Sequence, residues 1–553
     1  MSVKIISKGS NCRVELVKGI EKMVETVGAT LGPKGRNVII DKSFGAPKST
    51  KDGVTVAKEI ELENRMQNMG AAMLKEAASK SDDKAGDGTT TTVVLAGSIA
   101  ANGAKAVAAG MNPMDLKRGM EKAVHKVLDF IQRKSKNISS TDEISQVATV
   151  SANGDSSIGK IIAESFEKVG KDGVIAVEEA NKSDLFAAEV VQGMNFDRGY
   201  LSPYFITNSE RMSCELEDCK ILLFDKKVTS VQPLLGLLES VMQAGKPLLI
   251  VAEDIEGEAL ATLVLNKLRG GMKIAAIKAP GFGDRRKAML EDIAILTGAQ
   301  LISEELGFKL ENAKINDLGR AEKITITKDD STIVRGCGNK EEIHKRCEQL
   351  KLQIEECSSD YDREKLQERL AKLTGGVAVL KVGGVTEIEV KERKDRVEDA
   401  YNATKAAIEQ GIVPGGGCTL LYASTILDEL KGNNDDEDRG ISIVKDALKA
   451  PAKTILRNAG LEQELIVAGL LNNNQQSMIY DAQKIQVVDA FKTGIIDPTK
   501  VVRNALMSAV SVASILVTTE AAIYEKPSKR GVSDGSAMNN MGGMGGGGMP
   551  GMM

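Results

Sequence analysis

The chain has 553 residues, enough for three or four domains, and 73 Lys plus Arg against 77 Asp plus Glu leave a net charge of −4. That balance excludes nucleic acid as the main partner, because no surplus of positive charge is available to neutralise a phosphate backbone. His125 and His344 are the only histidines, Trp is absent and aromatics are 3%, which argues against a dedicated zinc enzyme and leaves cores of Ala, Val, Ile, Leu and Met.

The N-terminus has no continuous apolar signal core and carries Glu15 early, so the expectation is a soluble, cytoplasmic protein. Residues 10–30 and 64–134 read as long helices, the second carrying Met66, Met69, Met73 and Leu74 and then Leu116, Met120, Val124, Val127 and Leu128 at helical spacing. Between them, 37–41 and Thr55-Val56 read as short strands around a turn at Phe44-Gly-Ala-Pro47. The most membrane-like window, 93–110, is interrupted by Asn102 and Lys105 and reads as a buried helix. From about 172 to 335, β-like runs (174–177, 219–224, 248–252, 274–277, 323–327) alternate with helical stretches at 231–244, 256–269 and 285–297, as in an α/β domain. Residues 339–373 read as a charged helix pair, 377–382 and Thr386–Val390 as strands, and 395–410 and about 440–472 as helices. Helix-rich material at both ends encloses an α/β insert, so the ends predict one discontinuous domain, with connecting layers near 135–190 and 377–410 that could hinge. The fold class expected is multidomain α+β and α/β. The last 16 residues contain six Met and seven Gly and read as a disordered tail with a reach of about 20–24 Å. Cys12, Cys214, Cys219, Cys337, Cys347, Cys357 and Cys418 form no Cys-x-x-Cys pair and read as reduced thiols.

No P-loop occurs, and no Gly-x-Gly-x-x-Gly occurs outside the Gly/Met tail. What remains is a set of Gly/Asp/Thr loops: Thr30-Leu-Gly-Pro33 at a helix end, Lys51-Asp-Gly-Val-Thr55, Ala85-Gly-Asp-Gly-Thr-Thr-Thr-Thr92 opening a helix, and Pro414-Gly-Gly-Gly417. Glycines let backbone N–H groups approach an anion, a helix N-terminus favours negative charge, and Asp87 beside it suits Mg²⁺ bridging to phosphate. Each loop also has a plain reading. Lys-Asp-Gly-Val recurs at 171–174, where it reads as a hairpin turn, and a Thr run at a helix start is most often a cap. The residues by themselves point to a phosphorylated ligand and go no further.

Thr30-Leu-Gly-Pro-Lys-Gly-Arg-Asn37, Ala85–Thr91, Arg396-Val-Glu-Asp-Ala400, Val413-Pro-Gly-Gly-Gly417, Gly199-Tyr-Leu-Ser-Pro-Tyr204, Ala279-Pro-Gly-Phe-Gly-Asp-Arg-Arg286 and the Gly/Met tail resemble the signatures of group I chaperonins, collinearly over the whole chain. The resemblance implies a mainly helical, discontinuous equatorial domain (1–134 and 411–537, then the tail 538–553), a small α/β intermediate hinge domain (135–191 and 377–410) and an α/β apical domain (192–376). It implies two stacked seven-membered rings, a GroES-like lid and ATP-driven enclosure of unfolded client proteins, with no membrane partner.

By the same resemblance, the nucleotide pocket falls on Thr30, Leu31, Gly32, Pro33, Lys51, Asp87, Gly88, Thr89, Thr90, Thr91, Gly416, Asp481, Ala482 and Asp497. Asp87 would hold Mg²⁺, Thr30, Lys51 and Thr90 would surround K⁺, and Asp52 and Asp399 would position and activate the attacking water. The substrate face would comprise Tyr200, Tyr204, Phe205, Leu235, Leu238, Leu260, Val264 and Leu265. Three departures stand out: Asp481-Ala-Gln483 where relatives usually carry Asn-Ala-Ala, Thr92-Val-Val after the phosphate loop, and the acidic run Asn433–Asp438.

Overall fold

The computed structural model describes residues 4–41, 47–170, 173–180, 186–209, 211–357, 359–473 and 475–525. The two ends meet at once, the strand Lys4–Lys8 pairing antiparallel with Ala521–Glu525. Helix α1 (Gly9–Gly28) buries Cys12, Leu16, Ile20, Met23 and Val27, a stripe at three- and four-residue spacing that faces the core. The strands Val38–Ile40 and Lys48–Thr50 form a small ladder, and Phe44–Ala46 of the expected turn lie outside the described residues. Thr55 and Val56 are helical, not extended. The Asp52 carboxylate accepts the N–H groups of Val54 and Thr55 and starts α2 (Gly53–Glu59), which overrides the β preference of Val and Thr.

The expected helix 64–134 is three helices: α3 (Arg65–Ala85), α4 (Thr89–Ala108) and α5 (Pro113–Lys134). Gly86 and Gly88, at φ +67° and +85°, end one and open the next, and Asn112 caps α5 with Pro113 at its first position. Helices α6 (Thr141–Ser151) and α7 (Ser156–Val169) lead into a three-stranded sheet in which Val377–Val382 lies between Val174–Glu179, parallel, and Phe186–Val191, antiparallel. The repeat at 171–174 therefore joins a helix to a strand; its Lys171 and Asp172 lie outside the described residues.

The central segment is built on a seven-stranded mixed sheet. Ile274–Lys278, Leu248–Ala252 and Cys214–Phe224 run parallel, Leu301–Ile302 pairs parallel with the end of Cys214–Phe224, and Gly319–Ile326, Ser331–Gly336 and Gly193–Phe196 continue the sheet antiparallel. It carries α8 (Leu235–Gln243), α9 (Gly257–Leu268), α10 (Gly283–Thr297) and the charged pair α11 (Lys340–Glu356) and α12 (Asp360–Gly375). Thr386–Val390 is not a strand: the Thr386 hydroxyl accepts the Glu389 N–H and opens α13 (Glu387–Gln410). Then follow α14 (Cys418–Ala423), α15 (Asp435–Ala447), α16 (Ala450–Asn458), α17 (Gln463–Asn472), α18 (Ala490–Thr493) and α19 (Thr499–Thr518). Among the described residues only α19 is long and apolar enough to cross a membrane, and it is largely buried against α3, α4 and α5; α4 is buried likewise. Residues 526–553, including the Gly/Met tail, lie outside the described residues.

The buried apolar side chains gather into three principal cores. One draws on α1 to α5 together with α14, α15 and α19, from both ends of the chain. A second joins α6, α7, the three-stranded sheet and α13. The third fills the mixed sheet and its helices between Met194 and Leu373.

Candidate functional site

A cavity of about 550 Å³ opens where the first core meets the second. Its floor is the turn Gly86-Asp87-Gly88. The left-handed glycines reverse the chain, and the first turn of α4 then presents backbone N–H groups that no helical carbonyl satisfies. The Asp87 carboxylate accepts the Gly88 N–H on Oδ1 and the Ser151 hydroxyl on Oδ2, the latter at 3.1 Å.

One wall is the turn after α1. Gly32 at φ +87° lies against Ile455, and the Asn458 amide donates to the Gly28 and Leu31 carbonyls at 2.8 and 2.9 Å, pinning Thr30–Pro33. Thr30 Oγ1 lies 3.5 Å from Thr90 Oγ1. The Lys51–Gly53 turn crosses α4 so closely that a Cβ at Gly53 would meet Thr90 Oγ1 at 2.0 Å. Asp52 is held in place by its own cap, with Oδ1 accepting Val54 N–H at 3.0 Å and Oδ2 accepting the Thr55 N–H and hydroxyl at 2.9 and 2.6 Å.

The opposite wall is Pro414–Gly417 beside Asp497, whose strand pairs Val413 with Asp497. Gly416, at φ +64°, has open space where a Cβ would be. At the far end stands the Met478–Asp481/Gln486–Asp489 hairpin; Asp481 is buried and its Oδ1 accepts the Gln483 and Lys484 N–H groups at 2.9 and 3.0 Å. That carboxylate thus builds its own turn as well as lining the cavity. Helix α13 closes the cavity from above. Asn402 sits where a Cβ on Gly86 would be, 2.4 Å away, so the close approach that delivers Asp399 requires glycine at 86.

The electrostatics are lopsided. Asp399 is held well above the usual carboxylate range, first by burial and then by repulsion from Asp52, Asp87, Asp82 and Asp395. Burial raises Asp87 as well, with a push from Asp52, against the lowering effect of the Gly88 N–H and Ser151 hydroxyl. Asp497 is pushed up to about 7 by burial and by Asp87, although the Gly416 and Gly417 N–H groups favour its charged form. Among the described residues nothing donates a hydrogen bond to the Asp399 carboxylate, and no three His, Cys, Asp or Glu side chains converge tightly enough to cage an ion. A cation here must be completed by ligand oxygens and water, as Mg²⁺ on a polyphosphate is. The residues present fit such a pair: N–H groups and open glycines for the anion, and half-buried carboxylates for the metal.

The structure brings Thr30, Leu31, Gly32, Pro33, Lys51, Asp52, Asp87, Gly88, Thr89, Thr90, Thr91, Asp399, Gly416, Asp481, Ala482 and Asp497 onto this one cavity. Ser151, Ile455 and Asn458 were not signalled by the sequence, because their roles depend on packing between distant segments.

The second group of residues, on the mixed-sheet segment, divides. Tyr204, Leu235 (47% exposed) and Leu265 (50%) are exposed, and Tyr200, Leu260 and Val264 are half-buried. Phe205 (0%) and Leu238 (8%) do not belong to that surface, because they sit in the core. Leu238 lies next to Leu237 and three residues before Val241, both packed on the sheet, so helical geometry carries it inward. Met242 and Leu268 are exposed on the same two helices and were missed.

The sequence profile of the TCP-1/cpn60 chaperonin family matches residues 23–527. The chain belongs to the TCP-1/cpn60 chaperonin family. It is therefore a chaperonin, a protein that assists the folding of others. Members of this family are generally ATPases that assemble into rings and bind unfolded clients. In this chaperonin the cavity described above lies between the core formed by the chain ends and the core that includes α13.

Proposed function

We propose that this chaperonin is a group I, GroEL-like machine that hydrolyses ATP in the cavity beneath α13 and uses the cycle to enclose unfolded proteins. The observation that carries the reading is the set of half-buried carboxylates Asp87, Asp399 and Asp497 on a cavity that also presents a glycine-rich cradle of N–H groups and the cations Lys51, Arg396 and Lys484, a lining that suits a metal and a polyanion entering together. Asp87 would hold Mg²⁺, and Thr30, Lys51 and Thr90 would surround K⁺. The ions supply charge neutralisation at the phosphates, which phosphoryl transfer needs more than covalent chemistry.

The two remaining carboxylates divide the handling of water. Asp52, fixed by three donors, orients it. Asp399, without a donor and with its proton affinity raised, accepts its proton, since a base works best when its pKa approaches the working pH. Asp481 and Ala482 would border the base. Client proteins would be held on the apolar side chains exposed at Tyr204, Leu235 and Leu265, in two stacked seven-membered rings with a GroES-like lid, in the cytoplasm.

The test is native mass together with K⁺-dependent ATP hydrolysis. Fourteen-subunit particles that hydrolyse ATP are expected. Asp399→Ala should keep nucleotide binding and slow hydrolysis at least about tenfold, or roughly 1.4 kcal/mol of barrier. Parent turnover in that variant would remove Asp399 from the chemistry.

A further inference from the structure

Ser151 is the last residue of α6, whose Ile144, Val147 and Ala148 are buried in the core that α13 shares. Asp87 belongs to the turn between α3 and α4, in the other core. A hydroxyl near the end of a helix commonly bonds back to its own backbone. Thr149, two residues earlier, does so, donating to the Ser145 carbonyl at 2.7 Å. Ser151 instead reaches across the cavity wall and donates to Asp87 Oδ2 at 3.1 Å.

The position is fixed from behind. Ala152 N–H bonds to the Ala148 carbonyl, Gly154 N–H bonds to the Thr149 carbonyl, and Asn153 and Gly154 turn the chain away at φ +57° and +90°. The two Asp87 oxygens are thus aimed by different parts of the molecule. The Gly88 N–H on Oδ1 belongs to the same turn and moves with it, so it cannot set the carboxylate against anything outside that turn. Among the described residues, Ser151 is the only donor to the Asp87 carboxylate from outside the phosphate turn, the Ser81 hydroxyl reaching only the Asp87 backbone carbonyl, at 3.5 Å.

We infer that Ser151 is a positioning residue for the divalent cation: from the end of α6 it orients the Asp87 carboxylate toward the metal position. The inference rests on the reading of the cavity as a Mg²⁺·ATP site. It adds a consequence for how the molecule works. The core that contributes Asp399 also contributes Ser151, so seating that core on the phosphate turn prepares the metal ligand, and by linkage a bound metal favours the seated arrangement. Hydrogen bonds behind a metal ligand commonly change metal affinity about 10–100-fold when removed.

The experiment uses the full chain and calorimetric titration of a non-hydrolysable ATP analogue over a series of free Mg²⁺ concentrations at constant K⁺. Ser151→Ala should raise the Mg²⁺ concentration for half-maximal tight binding about tenfold or more, with affinity in EDTA within about twofold of the parent. Ser151→Thr, which keeps the hydroxyl, should restore the parent Mg²⁺ dependence. The inference is overturned by a parent-like Mg²⁺ profile in Ser151→Ala, by equal impairment in both variants, or by loss of the EDTA affinity. If the parent itself binds the analogue without any Mg²⁺ dependence, the reading of the cavity falls and this inference with it. If the parent shows the dependence and Ser151→Ala matches it, only the role of Ser151 falls.

Discussion

Asp497 shows what it costs to gather carboxylates in a sequestered cavity. Folding takes it away from water and sets it near Asp87, and its carboxyl holds the proton up to about pH 7. In the unfolded chain an aspartate ionises near pH 4. Between about pH 4 and 7 the folded state therefore binds more protons than the unfolded one, so stability from this group falls as pH rises through that window. Asp497→Asn cannot ionise. In EDTA and without nucleotide, the melting temperature of Asp497→Asn relative to the parent should climb from pH 5 to pH 8, because only the parent acquires the buried charge. Parallel curves across that range would mean that Asp497 is already ionised at pH 5. The glycines opposite make a complementary point. Gly53 is required by close approach to Thr90, a contact between segments distant in the chain, and Gly86 is required twice, by its left-handed φ of +67° and by close approach to Asn402.

At the level of elements, caps and packing decided where local preference pointed elsewhere. Thr55-Val56 and Thr386–Val390 look extended because β-branched residues favour strands, yet Asp52 and Thr386 open helices there. The Gly86–Gly88 turn was legible because glycine, aspartate and threonine declare a helix N-terminus locally. Ser151 and Asn458 were not, since each acts through one hydrogen bond to a segment far away in sequence. The joint between α10, α11 and α12 is another such case. Asp292 (2% exposed) accepts Arg346 Nε on Oδ1 at 2.8 Å, and Arg369 through Nε on Oδ2 and Nη2 on Oδ1 at 2.8 and 3.0 Å. Asp292→Ala would leave two largely buried guanidinium groups short of their shared partner and should cost about 3–5 kcal/mol in urea unfolding. Glu291→Ala removes only the outer partner of Arg346 and should stay within about 0.5 kcal/mol. Equal losses in the two variants would show that Asp292 is not the anchor of this joint.

For the molecule as a whole, the question is which apolar surface meets a client, and burial sorts the candidates that helical spacing cannot. Periodicity identifies a stripe on α8 and α9 but does not say on which side the sheet lies. Leu237, Leu238 and Val241 face the sheet, as do Ala259 and Leu263, whereas Leu235 and Leu265 point to solvent. A solvent-facing leucine changed to serine loses little stability. The same change in the core loses buried apolar contacts and can strand a hydroxyl, at about 2–5 kcal/mol. Leu235→Ser and Leu265→Ser should therefore melt within a degree or two of the parent and yet lose suppression of aggregation of a chemically unfolded protein. Leu238→Ser should melt well below the parent. If the subunits form rings, each carries the same anchor, so a small loss per site multiplies around the assembly and the capture defect should exceed that of an isolated contact. Thermal melting beside an aggregation assay for all three variants decides the matter. Full suppression by Leu235→Ser and Leu265→Ser would move the client surface away from α8 and α9, and a parent-like melt for Leu238→Ser would contradict its place in the core.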